Sequence, residues 1–462
     1  MPRATLCRYA GLAGSLLLAV AAWLGGASSP WQPTVTPRTI LAGENGVWLP
    51  VTWLLGTALL IGAWWFGRRE VPSARWAYVT AALWAVPLLP FLPLGSYDAF
   101  SYACQGWQQA AGLDPYAGGV DLVGCPWREA VAPTWLSSPA PYGPVFLVLA
   151  AGAVKLGGSL TGTLALLRII AVLGVVLIAV CLPRLARRAG VPVERAVWLA
   201  LACPLVPIHL VSGAHNDAVM VGFLVAGVAL AISRRMWAAG ILLGLAIGVK
   251  ATAVVVLPFV ALLALGQTVW LAGSAAATLV IVSLASGRGL GWITGLTGSG
   301  VSVQWTSPPT AVGMTIEMFG PDAVPVTRII GIAVLVVVLG LLWWRCLRAK
   351  DRDPVRYAGY ALAATVALAP VFHPWYATWP LPILAATLRQ QTRWLLIPCA
   401  VASALCLPDG YNLALATKSQ GAIVVTALLV FFMGKALHDA KNRASSDRHR
   451  AAGDRGPERL PH

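Results

Sequence analysis

Apolar stretches of helical length recur along almost the whole chain, from Tyr9 to Lys435, separated by short polar or glycine- and proline-containing connections. No single water-soluble core can bury that many such segments. Composition agrees: 58% of the residues are hydrophobic and 11% charged, against about 25% charged in soluble chains, and the mean hydropathy is +0.74. One secretory signal ahead of a soluble domain is excluded by the recurrence. A membrane β-barrel is excluded because its strands would be short runs with period-two alternation, whereas these runs are longer and apolar on every face. The expected fold class is an all-α integral membrane bundle. At roughly 20 residues per span plus connections, the length accommodates about 12 to 14 helices. Spans are expected near 9–27, 47–67, 76–95, 162–183, 196–212, 218–233, 236–250, 252–267, 269–286, 328–346, 357–372, 377–389, 394–408 and 419–437. Several are short, which is tolerated where backbone faces protein or a cavity rather than lipid. Residues 1–437 then form one polytopic domain with a large outer loop at about 96–143, and 438–462 a basic, disordered cytoplasmic tail. No internal repeat is visible.

The 33 Lys and Arg against 17 Asp and Glu give a net charge of +16. In a membrane chain such an excess records which loops face the cytoplasm, so no nucleic-acid partner is implied. With the N-terminus inside, the bases fall into seven inner clusters: Arg3 and Arg8, Arg68 to Arg75, Arg184 to Arg195, Arg234 and Arg235, Arg345 to Arg356, Arg389 and Arg393, and Lys435 with the tail. Both termini are therefore expected in the cytoplasm. Pro144 to Leu156 reads as a helix in or dipping into the outer leaflet, since counting it as a span would break the charge parity. Outward-facing chemistry must then choose among Glu44, Asp98, Asp114, Asp121, Glu129, Asp217, Glu317, Asp322 and Asp409. His209, His215 and His373 sit at outer ends of spans. Of the eight cysteines, Cys7, Cys181, Cys203, Cys346, Cys399 and Cys406 lie in or beside apolar segments and read as small buried residues. Cys104 and Cys125 share the outer loop, in an oxidising compartment, and are expected to form a disulfide.

Three outer constellations and one cation stand out. The first opens GSYDAFSYACQGWQQAAGLDPYAGG and closes SSPAPYGPVF. Asp98 follows a span directly, and Tyr102, Gly106 and Gln109 share its helical face, which makes a polar pocket; the competing reading is a helix cap at Asp98. The second is SGAHNDAVM, where His215, Asn216 and Asp217 interrupt two spans, with a solvated turn as the competing reading. The third is HPWYATWP, in which an interfacial aromatic belt accounts for Trp375, Tyr376 and Trp379 but not for His373. Lys250, in GLAIGVKATAV, is an intramembrane cation and a functional candidate by default; snorkelling to the surface competes.

YDAFSYACQG with GLDPYAGG, then PYGPVFL, AHNDAVMVG and HPWYATWPLP, in this order between about Gly95 and Pro382, resemble the polyprenol-phosphomannose-dependent α-1,6-mannosyltransferases of mycolic-acid bacteria and their relatives. Those enzymes belong to the GT-C glycosyltransferase superfamily, in which an acidic residue of the first large outer loop is essential; Asp98 matches that position. The resemblance implies a polyprenyl-phosphate-mannose donor, a mannan or lipoglycan acceptor and an α-1,6 linkage. Cys104 departs from the pattern, standing where a small apolar residue is expected.

The residue inventory suits that chemistry. A sugar on a lipid phosphate leaves behind an anion, so no general acid is needed, whereas glycosidases need two carboxylates. One base for the acceptor hydroxyl and charge stabilisation on the departing phosphate suffice. Asp98 is the expected base of an inverting, outward-facing transferase of the plasma membrane. His215, His373, Lys250 and Tyr142 are expected around the donor phosphate, and Tyr102, Gln109, Asn216, Asp217, Trp375 and Tyr376 around the acceptor or in support. No acidic or His cluster has metal spacing, so neither metal nor cofactor is expected. The rival function is a transporter or flippase for polyprenyl-linked glycans, which would need a polar path that the cytoplasmic halves of the spans lack.

Overall fold

The computed structural model describes residues 2–32, 46–296, 300, 302–349, 353–390, 392–405, 407–410 and 413–453. Glu44, Lys350, Arg352 and Cys406 lie outside them. The described residues are helical throughout, with no strand. The principal helices are α1 (Arg3–Gly25), α2 (Trp48–Gly67), α3 (Ala74–Ala85), α4 (Asp98–Ala110), α5 (Pro144–Gly157), α6 (Leu160–Ala189), α7 (Val193–Leu201), α8 (Asp217–Ile232), α9 (Met236–Val249), α10 (Thr268–Ala285), α11 (Pro308–Glu317), α12 (Val324–Arg348), α13 (Pro354–Leu368), α14 (Leu381–Thr387), α15 (Arg393–Ala404) and α16 (Lys418–Gly453).

The all-helical membrane class holds, with fewer bilayer-length helices than the 12 to 14 expected. Among the described residues six helices are long and apolar enough to cross a membrane, or seven if the pair Val193–Leu201 and Val206–Ser212, bent by 63°, is one span. The physical reason is visible in the shorter apolar helices, α5, α8, α9, Ala251–Ala261 and α15. Nearly every residue of α8 is buried, so this helix faces protein on all sides and need not reach bilayer length, whereas α15 keeps Trp394, Ile397 and Val401 exposed. The expected span at 377–389 is a single turn, Pro374–Thr378, followed by the seven-residue α14. At the other extreme α16 continues to Gly453, past the point where a disordered tail was expected. Alanine, lysine and arginine make up half of residues 438–453 and favour helix; residues 454–462 lie outside the described residues.

Helices meet where small residues let backbones approach. A Cβ at Gly14 of α1 would lie 2.7 Å from the Gly56 carbonyl of α2. The approach that matters most for the site is at Gly143, ahead of α5: a Cβ there would come within 2.2 Å of the Gly248 carbonyl, and the Gly143 amide donates to the Val249 carbonyl at 3.1 Å. This contact sets Tyr142 beside Lys250, the residue at which α9 ends.

Candidate functional site

Asp98 opens α4, one helical residue after Tyr97, and is 8% exposed. Its amide donates to Ser96 Oγ at 3.0 Å, so Ser96 takes the capping part and the carboxylate is left for other partners. Trp135 Nε1 donates to Oδ1 at 3.1 Å, Tyr102 Oη lies 3.5 Å from Oδ2, and His215 Nδ1 is 3.7 Å from Oδ2. Tyr102 Oη is also 3.3 Å from His215 Nδ1. Burial pushes the Asp98 carboxyl up to about 6, with the Trp135 hydrogen bond and the Lys250 charge restraining the rise. A carboxylate in that range takes a proton readily near neutral pH.

Two cavities meet at this carboxylate. One, of about 300 Å³, is lined by Asp98, Trp31, Ser96, Thr134 and Gln304 among others. The second, of about 150 Å³, runs from Asp98 to Tyr142, Lys250, Thr252, Tyr376 and Trp379. Asp98, Trp135, Ser302, His373 and Trp375 line both.

Lys250 stands where α9 gives way to a 3-10 turn. It does not snorkel: it is 8% exposed, and its Nζ donates to Asp217 Oδ1 at 2.7 Å. Its ammonium also lies 4.6 Å from the Tyr376 ring centre, 5.1 Å from Trp379 and 5.8 Å from Tyr142, a cation–π enclosure on three sides. Trp379 Nε1 donates to the same Asp217 oxygen. Asp217 is therefore tied to Lys250 and Trp379.

The histidines are held by stacking. His215 stacks on Trp375 at 3.9 Å between ring centres, and His373 stacks on the same indole at 4.6 Å. The turn that presents His215 places Ala214 at φ 51°, a left-handed conformation unfavourable for a residue with a Cβ. Burial first, then the Lys250 charge, pushes His373 down to about 3; burial, with His209 and Lys250 adding to it, drives His215 down as well. Both shifts favour the neutral imidazole.

The remaining expectations divide. Trp375 is buried and Tyr376 partly so, lining a cavity rather than forming a belt. Asn216 is buried at 1% exposure, and neither side-chain atom has a hydrogen-bond partner among the described residues, so it does not orient a His. Gln109 is not brought to the site. Its amide donates to the Ser286 carbonyl at 2.7 Å and its oxygen accepts from Arg288 Nε at 2.9 Å, while Gly106, between it and Asp98, faces the Ala150 backbone of α5. Cys104 and Cys125 are joined as a disulfide with Cα atoms 5.5 Å apart. Trp135, Ser302, Gln304 and Thr252 were not anticipated. Trp135 sits between Pro133 and Ser137 just ahead of the PYGPVF run, and nothing local set it apart from Trp127 of the same loop.

The first part of the chain, residues 8–266, matches the family model described as alpha-(1->6)-mannopyranosyltransferase, N-terminal domain. The chain belongs to the alpha-(1->6)-mannopyranosyltransferase family. Residues 296–435 match a second model, the MptB C-terminal domain. Alpha-(1->6)-mannopyranosyltransferase A of Mycobacterium tuberculosis is 34% identical over 419 residues, covering 83% of this chain and 80% of its own. Alpha-(1->6)-mannopyranosyltransferase B of Corynebacterium glutamicum is 33% identical over 66% of this chain and 58% of its own; the A enzyme of that organism is 29% identical over 72% and 77%. No solved structure matches the chain. As a member of the alpha-(1->6)-mannopyranosyltransferase family, this multi-pass membrane protein is by homology an α-1,6-mannosyltransferase, a glycosyltransferase. Among the described residues no cluster of three His, Cys, Asp or Glu could hold a metal ion.

Proposed function

We propose that the chain is an inverting mannosyltransferase on the outer face of the plasma membrane, moving mannose from polyprenyl-phosphate-mannose to a mannan or lipoglycan acceptor, with Asp98 as the base. The observation that carries this reading is the placement of the Asp98 carboxylate in the wall shared by two cavities, with a cation in one of them. The cavity holding Lys250 suits the donor phosphate, and the other suits the acceptor. As the acceptor hydroxyl attacks the anomeric carbon, its proton passes to Asp98, the bond from that carbon to the phosphate oxygen breaks, and the electron pair stays on the phosphate. Lys250 stabilises that charge. His215 and His373, being neutral, offer single neutral hydrogen bonds and hold Trp375 in place. Purified protein incubated with labelled polyprenyl-phosphate-mannose and a mannoside acceptor tests the function directly: label is expected in the acceptor, and its retention on the lipid across repeated preparations rejects the transfer reaction.

The acid limb of the kcat/KM profile is expected near pH 6, because a base whose pKa lies there is lost to protonation as the pH falls through it. Trp135→Phe removes the indole donor to Asp98 Oδ1, so the carboxylate is less stabilised and the limb moves to higher pH. A limb that stays in place in this variant removes Trp135 from the proton chemistry.

The outward orientation rests on the distribution of basic residues and has its own test. A cysteine placed at Gly118 should react with an impermeant thiol reagent added outside intact cells, and one at Ala349 should not. Labelling of both from the same side overturns the charge-based orientation.

A further inference from the structure

Four arginines from three separate elements converge on one concavity. Arg68 and Arg69 follow the end of α2, Arg195 lies in the first turn of α7 and Arg393 opens α15; with Leu199 and Thr392 they line a cavity of about 500 Å³. None of the residues that line it lines either cavity at Asp98. No carboxylate lines it. Among the described residues none of the four makes an ion pair, and the nearby Glu70 is engaged by Arg3 at 3.8 Å.

A preference for basic residues at one end of a bundle accounts for their side of the membrane. It does not account for four guanidiniums drawn from positions far apart in sequence around one volume, where they repel each other. Burial, with the charges of Arg69 and Arg393 added to it, pushes the Arg68 guanidinium down from its ordinary value. Each guanidinium carries five donors. Arg195 uses one on the Arg389 carbonyl at 2.7 Å and Arg68 one on the Trp65 carbonyl, so most remain for a ligand. The sequence neighbours of the arginines add a second property. Phe66 and Trp394 are 71% and 78% exposed, and Phe66 belongs to a helix long and apolar enough to span a bilayer. Charge inside the concavity and bare aromatic surface beside it match a ligand with a phosphate head and an apolar tail.

We infer that this cavity binds the phosphoryl headgroup of an anionic membrane lipid, with its acyl chains against Phe66 and Trp394. Bidentate guanidinium–phosphate contacts suit such a headgroup, and basic pockets between helices are where anionic lipids are recognised. The site is separate from the transferase reading, and its test does not use activity. Full-length protein in mild detergent is offered an equimolar mixture of phosphatidylglycerol and phosphatidylcholine, and retained lipid is counted by native mass spectrometry. Wild type is expected to prefer phosphatidylglycerol, and the preference is expected to fall about fivefold for each arginine removed in Arg68→Gln and Arg393→Gln, singly and together. Arg68→Lys with Arg393→Lys should keep part of it. Removal of equal charge elsewhere, Arg345→Gln with Arg348→Gln, should leave it unchanged. Arg393→Gln alone, at an exposed position, serves if the double variant does not fold. No preference in wild type, or equal loss in the remote pair, overturns the proposal; displacement of the lipid by millimolar inorganic phosphate overturns the lipid assignment in favour of a soluble phosphate.

Discussion

Asp98→Asn is expected to lower turnover at least about a hundredfold with the protein still folded. The amide fills the same volume and can still accept from Trp135, but it cannot take a proton from a hydroxyl. Thermal unfolding compared with wild type checks the fold, and transfer from labelled donor reads the turnover. A variant that keeps most of its activity would falsify the role of Asp98. The structure offers the other carboxylates between residues 96 and 143 little as replacements: Asp121 is paired with Arg128 on the surface, Glu129 is exposed, and Asp114 accepts from the Tyr116 amide at 2.9 Å.

The second large effect belongs to Lys250. Lys250→Met strands the Asp217 carboxylate, which is 0% exposed, and loss of one partner of a buried pair costs about 3–5 kcal/mol of stability. The double variant Lys250→Met with Asp217→Asn leaves no orphaned charge and should recover most of that loss. Turnover is expected to stay low in both, since the cation that the proposed mechanism sets against the departing phosphate is gone, whereas His215→Ala and His373→Ala should cost less because they remove only neutral groups. Recovery of turnover together with stability in the double variant would show that Lys250 serves packing alone and that the phosphate is held elsewhere.

The helical class was legible because apolar runs of that length recur in few other folds, and the positions of Asp98, His215, Lys250 and His373 were legible because polar residues at the ends of apolar runs are conspicuous. What the sequence hid has a common physical cause. Periodicity along α4 put Gln109 on the Asp98 face, yet eleven residues of helix carry a side chain roughly 16 Å along the axis, far enough to meet Arg288 instead. Which apolar runs form bilayer-length helices was hidden because a half-length helix and a bilayer-length one look alike in hydropathy. The link between Asp217 and Lys250, and the donation from Trp135, join positions 33 and 37 residues apart, through contacts that no local pattern encodes. The burial that favours neutral histidines was hidden for the same reason, since burial is set by the fold and not by the neighbours in sequence.

A wall held in common by two compartments imposes a reciprocity. Trp135, Ser302, His373 and Trp375 cannot shift toward an occupant of one cavity without reshaping the other, and thermodynamic linkage then requires the two occupants to change each other's affinity by the same factor. One molecule tethering both occupants would also turn the second association into an intramolecular event. Such a two-headed compound, passing beside the Asp98 carboxylate, is the form of inhibitor this architecture favours over a mimic of either substrate alone.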